Sequence, residues 1–157
     1  VNTKYAIEDD NPCRRIHGHQ GNITIIVESN NLDNRDFVID FKELTFIKKF
    51  INDNLDHRFI LSYEDPRFEQ LACCSVSDVK RQSTPVVILD EISMCWRCKD
   101  IELDSFVFVD FNPTSERLAQ WIYDGVEKCI DESPFNCKVK EVIWSETPKT
   151  KAVYRGA

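Results

Sequence analysis

The chain has 157 residues, with 27 acidic and 20 basic side chains and a formal net charge of −7. Hydrophobic residues make up 42%, which suffices for a core and excludes a wholly disordered chain. No Lys/Arg stripe offers phosphate neutralisation, which argues against a nucleic-acid partner, and no apolar run approaches the roughly 20 residues of a membrane helix.

The length suggests one domain, spanning 1–157, of a size that buries roughly two-thirds of its unfolded surface. The seven cysteines (Cys13, Cys73, Cys74, Cys95, Cys98, Cys129 and Cys137) are odd in number and irregularly spaced. They point to a reducing, cytoplasmic compartment rather than a disulfide scaffold. No signal peptide is visible, and the first residue is Val rather than Met.

From Asn22 the pattern alternates: Ile23, Ile25 and Val27 on one face, Thr24, Ile26 and Glu28 on the other. Ser29-Asn30-Asn31 reads as a turn and Phe37-Val38-Ile39 as a second strand, together an antiparallel hairpin. Over 42–55 the period changes. Leu44, Ile47, Ile51 and Leu55 form a helical stripe widened by Phe46 and Phe50, with Lys48 at its edge and the helix ending near Asp56. Residues 62–104 read as an insertion of uncertain structure, with a short strand at 85–89. Residues 105–111 are expected to end a strand.

Asn112-Pro113-Thr114 signals a helix start, with Thr114 as the cap and Glu116 favoured at the positive helix end. Leu118, Ile122, Val126 and Cys129 are expected on its buried face, flanked by Ala119, Trp121 and Ile130. Residues 138–146 and 152–155 close the chain as two strands. The order is β-β, helix, insertion, helix, β-β, which argues for an α+β fold.

Only three histidines occur: His17, His19 and His57. On an extended segment, i and i+2 point the same way, so His17 and His19 can offer two imidazoles to one metal ion, with Gly18 adding little bulk between them. An isolated H-x-H is more often a pair of surface histidines. Cys13, four residues upstream, adds a thiol that can serve as a base or as a ligand of the same ion; the spacing fits either.

Asp56 beside His57 can orient the imidazole for proton transfer, although a cation at a helix C-terminus explains the same pair. Glu146 ends a strand and can accept two N–H groups from a guanidine-like heterocycle edge; most such glutamates are simply solvated. Cys95-Trp96-Arg97-Cys98 with Cys73-Cys74 offers four thiols. Adjacent Cys73 and Cys74 chelate poorly together, so free or buried thiols are favoured over a second zinc site.

Five segments then line up in order: C-R-R-I-H-G-H, V-I-D-F-K-E-L, L-D-H-R-F-I-L, N-P-T-S-E-R-L-A-Q-W-I, and S-E-T-P with a closing Y-R-G. Together they resemble the 6-pyruvoyltetrahydropterin synthase / 6-carboxytetrahydropterin synthase family over nearly the whole chain outside 62–104. The C-x-x-x-H-G-H spacing is similar to the carboxy branch, which serves queuosine and other 7-deazaguanine synthesis.

The resemblance implies a tunnelling fold: four antiparallel strands with two helices on one face, closing into an oligomeric β-barrel, commonly a homohexamer. It implies that His17 and His19 bind zinc, that Cys13 is the base or nucleophile, and that Asp56 and His57 form a proton relay. By the same resemblance Glu146 anchors the pterin, and Thr114, Ser115 and Glu116 line its pocket. The family's third zinc ligand is a histidine on the first strand, upstream of the cysteine. No histidine precedes His17 here, so the first strand is expected before residue 1.

The implied activity is a zinc-dependent lyase acting on 7,8-dihydroneopterin triphosphate. The alternatives are 6-pyruvoyltetrahydropterin synthase and a non-catalytic zinc- or pterin-binding protein.

Overall fold

A computed structural model describes residues 18–72, 86–87 and 106–156. The chain divides into two compact units, one formed by residues 1–18 and 54–114, the other by 19–53 and 115–157.

The second of these is built on an antiparallel sheet of three strands in the order β1-β5-β6. Strand β1 is Asn22–Glu28, β5 is Lys138–Thr147 and β6 is Thr150–Tyr154. Strand β1 alternates as its sequence predicts: Ile23, Ile25 and Val27 are half-buried, while Thr24 and Ile26 are exposed. It pairs with β5 from Asn22↔Ser145 to Glu28↔Lys138, with a bulge between Ile26 and Val27.

The expected hairpin partner at 37–39 is not a strand, and this is a correction. Asp33 explains it. Its side chain accepts hydrogen bonds from the Arg35 and Phe37 amides at 2.8 and 3.0 Å, and its own N–H donates to the Phe37 carbonyl at 2.8 Å. Asp36 takes φ +64°. An Asx-type turn therefore uses the groups that a strand would need for its ladder.

Asp40 accepts from the Lys42 amide and caps a short 3₁₀ turn over Phe41–Leu44, which leads into helix α1, Thr45–Asn54. The predicted stripe is present: Ile47 is buried, with Leu44 and Ile51 half-buried beside it. These residues and Lys48 face Ile23, Ile25 and Val27 across a groove of about 280 Å³.

Helix α3, Ser115–Asp131, buries Leu118, Ala119, Trp121, Ile122, Val126 and Ile130. Cys129 is only half-buried, so the buried face is turned slightly from the one expected: the residues read as flanking are core. Phe50 of α1 lies over Gly125 of α3, where an added Cβ would come within 2.2 Å of the ring. The Phe50 and Trp121 rings sit 5.8 Å apart. Each such aromatic burial is worth roughly 1.5–3 kcal/mol. Two further contacts tie α3 to the sheet: Tyr123 Oη donates to the Val139 carbonyl at 3.0 Å, and Glu127 Oε2 accepts from the Val139 amide at 2.6 Å.

In the other unit, β2 (Phe59–Ser62) and β3 (Val86–Val87) flank β4 (Phe106–Val109). Strand β2 runs parallel to β4, and β3 runs antiparallel to it. This second sheet and its parallel pair were not expected from the sequence. Parallel neighbours need a long crossover, and residues 63–105 supply it. Helix α2, Phe68–Ala72, lies within that connection, inside the stretch read as an insertion. Leu61, Phe68, Ala72 and Phe108 form the core here. Asp65 is 3% exposed and is neutralised by Arg67, whose Nε and Nη2 both donate to it at 3.2 Å.

Three strands of the expected four-stranded sheet are present among the described residues.

Candidate functional site

At the far end of β5, the pairing with β6 passes from Ser145↔Lys151 directly to Thr147↔Thr150. Glu146 is thus the extra residue of a bulge. Bulges bend a strand and re-aim a side chain, and they are frequent beside active sites. Ser115, the first residue of α3, donates from Oγ to Glu146 Oε2 at 3.2 Å. His19, just before β1, places Nε2 3.1 Å from Glu146 Oε1. The His19 and Glu146 side chains are 35% and 38% exposed, so a ligand can reach both. Three residues distant in sequence, one at a strand start, one at a helix start and one at a bulge, meet at one point.

Two neighbours were not recognised in the sequence as part of this arrangement. Trp144 precedes Glu146 by two positions and so shares its face of β5 up to the bulge. Its buried Nε1 has no hydrogen-bond partner among the described residues. Gly21 lies against the ring of Trp144: an added Cβ would sit 2.5 Å from Cη2 and 2.6 Å from Cζ2. A glycine at the mouth of a strand was the available signal, because it marks close approach by another group.

Asp56 and His57 belong to the other unit. They occupy the turn after α1, with Asp56 Oδ1 3.0 Å from His57 Nδ1 and side chains 60% and 92% exposed. His57 has φ +56°, a left-handed conformation that glycine adopts freely and other residues pay for. The turn is closed by the Arg58 amide donating to the Leu55 carbonyl at 3.3 Å. A carboxylate on Nδ1 fixes the tautomer that leaves Nε2 facing outward.

Thr114 directly precedes α3 in the chain, its amide donating to the Asn112 carbonyl at 2.7 Å. Glu116, in the first turn of α3, is exposed. Cys13, His17 and the Cys73, Cys74, Cys95 and Cys98 thiols lie outside the described residues. Of the described thiols, Cys129 and Cys137 are free. Burial pushes both up from the ordinary thiol value, with nearby carboxylates adding to it. Neither is primed as a thiolate nucleophile near neutral pH.

A zinc site calls for nitrogen, sulfur or carboxylate donors. His19 offers an accessible imidazole of this kind. Among the described residues no three His, Cys, Asp or Glu side chains gather closely enough to hold a metal by themselves. His19 is thus the one imidazole of the proposed pair that the described residues include.

The arrangement defines a class: a mixed α/β protein carrying acid–base groups at one end of an antiparallel sheet. Within that class, the chain belongs to the 6-pyruvoyl tetrahydropterin synthase family, whose sequence model matches residues 2–157. It is 29% identical over 147 residues to the 6-carboxy-5,6,7,8-tetrahydropterin synthase of Aquifex aeolicus, covering 92% of this chain and 76% of that protein. The protein of the same name from Bacillus subtilis is 27% identical over 148 residues, covering 94% and 73%. Among solved structures, an uncharacterized protein, WS1659, from Wolinella succinogenes superposes with a TM-score of 0.78 at 33% identity, covering 100% of this chain and 88% of that one. No described helix is long and apolar enough to cross a membrane.

Proposed function

We propose that this chain is a zinc-dependent 6-carboxy-5,6,7,8-tetrahydropterin synthase. It would convert 7,8-dihydroneopterin triphosphate and water to 6-carboxytetrahydropterin, acetaldehyde and triphosphate, on the route to queuosine and related 7-deazaguanines. The observation that carries this reading is Glu146: a partly buried carboxylate at a bulge, fixed by Ser115 and reached by His19. Relatives named for the carboxy reaction and the C-x-x-x-H-G-H spacing favour that branch.

His17 and His19 would hold the zinc. When bound, the metal supplies a Lewis acid that makes substrate hydroxyls easier to deprotonate. Glu146 accepts N–H groups from the amino-pyrimidine edge of the pterin. Each carboxylate oxygen has two lone pairs, so Ser115 can keep its bond while the pterin binds. Thr114 and Glu116 complete the pocket wall. Cys13 removes a carbon-bound proton as the thiolate. His57, held by Asp56 at Nδ1, exchanges a proton through Nε2. Each positioned acid or base of this kind is worth roughly 10²–10⁴ in rate.

The assembly belongs to the same reading. Strands β1 and β6 each have one edge without a strand partner among the described residues. Joining sheets edge to edge into a tunnelling barrel, as a homohexamer, would satisfy both. A cytoplasmic location agrees with the two free thiols.

Product analysis is the test. Purified full-length protein with one zinc per subunit should release acetaldehyde and triphosphate from the substrate. Cys13→Ala should keep its zinc and lose most turnover. A pyruvoyl product instead of acetaldehyde would move the chain to the other branch, and zinc or pterin binding without any turnover would make it a binding protein.

A further inference from the structure

We infer that the contact between Gly21 and Trp144 is the spacer that sets the distance between His19 and Glu146, making Gly21 and Trp144 positioning residues of the site. This rests on the functional reading above only for its consequence on ligand binding; the spacing itself is a property of the fold.

The last pair of β1 with β5 at this end is Asn22↔Ser145, preceded by Ile23↔Trp144. One further step would set Gly21 opposite Glu146, at the bulge. Trp144 is neighboured across the sheet by Ile23 on one side and Ala152 on the other. Its rigid ring reaches diagonally to Gly21, two residues from His19. At Gly21 itself, no side chain stands between the backbone and this ring.

Gly21 does not have a positive φ, so what is required here is space rather than conformational freedom. An added Cβ would meet Cη2 at 2.5 Å, Cζ2 at 2.6 Å and Cζ3 at 3.1 Å. All three belong to the outer edge of the six-membered ring. Any side chain at position 21 must therefore push the 18–21 segment off β5 or drive the indole out of its place. Either movement separates His19 from Glu146. A displacement of about 1 Å in a preorganised site can cost on the order of 10²-fold. A phenylalanine at 144 would lack the outer edge of the indole, which makes relief of the clash testable.

The experiment compares wild type, Gly21→Ala, Trp144→Phe and the double variant as full-length protein. Three quantities are read: thermal melting, affinity for pterin-6-carboxylate and zinc, and the His19 ring NMR signals of metal-free protein, assigned with His19→Gln. Gly21→Ala should melt cooperatively, bind pterin-6-carboxylate about tenfold or more weakly, and move the His19 ring signals. The double variant should return both to those of Trp144→Phe.

Wild-type affinity and unmoved His19 signals in Gly21→Ala would overturn the inference. So would a double variant no better than Gly21→Ala. Should Gly21→Ala fail to fold, the double variant decides: agreement with Trp144→Phe supports the spacer, and continued weak binding refutes it. If wild type binds neither probe, the functional reading falls, while the His19 signals still decide the spacer.

Discussion

Glu146 stands on a ten-residue strand with Ser115 and His19 at its two oxygens, whereas His57 stands on a turn with 92% of its side chain in solvent. The first is placed by tertiary structure: a sheet, a helix start and a bulge all bear on it. Among the described residues the second is placed by its own turn and the adjacent Asp56, at a φ of +56° that costs about 1–2 kcal/mol for a residue with a Cβ. The proposed recognition group and the proposed proton-transfer group thus draw on different sources of order. Substitutions should separate stability from activity in one region and couple them in the other.

The largest effect is expected at the turn. His57→Ala should lower turnover by about 10²–10⁴ while leaving pterin-6-carboxylate affinity and zinc content near wild type. His57→Gly should lose the same activity and yet melt higher, gaining about 1 kcal/mol from relief of the left-handed strain. A glycine variant that is less stable than wild type would show that His57 makes contacts holding the turn. Next comes Glu146→Gln, which keeps the shape but removes half the accepting capacity. Loss of one charge-assisted bond of about 1.5–3 kcal/mol should weaken pterin binding about 10- to 100-fold, read by titration, with zinc content maintained.

A smaller effect is expected in the scaffold behind Ser115. Gly125→Ala gains about 1 kcal/mol of helix propensity. It also forces a Cβ against the Phe50 ring, where the open distance is 2.2 Å. Overpacking of this kind costs about 1–3 kcal/mol, so the net change should be a lower melting temperature with several-fold weaker pterin binding. Equal stability would mean that Phe50 swings aside freely. The smallest effect concerns the thiols. Cys129 and Cys137 are held above the ordinary thiol value by burial. Their alkylation in folded protein should be slower than that of free cysteine at neutral pH, and should rise only at a pH above the usual thiol range. Rapid labelling of either would show that its cover opens readily.

The elements around Glu146 were the legible ones. Strand β1 alternates cleanly, α3 carries a long apolar stripe behind a helix-start signal, and β5 and β6 flank a short turn. Where the reading failed, a local competitor or a distant partner decided. Phe37-Val38-Ile39 has strand composition, but Asp33 uses the neighbouring amides first. Phe59–Ser62 is a strand only because Phe106–Val109 lies beside it in parallel, and four residues leave no period of their own to read. In the site, the segments naming His19, Ser115 and Glu146 could be found one at a time. Their convergence was implied by the family resemblance, but the bulge that brings it about could not be read, because a bulge is a property of pairing between two strands rather than of either one.

That bulge makes chain length a determinant of recognition. Residues alternate sides along a strand, so one residue gained between Ser145 and Glu146 would turn the carboxylate to the opposite surface of the sheet. Substitutions in the tip at Pro148 and Lys149 should be absorbed there, while a single insertion just before Glu146 should silence binding without unfolding the protein. Relatives that keep the glutamate but have one residue more just before it would then carry the right letter in the wrong orientation.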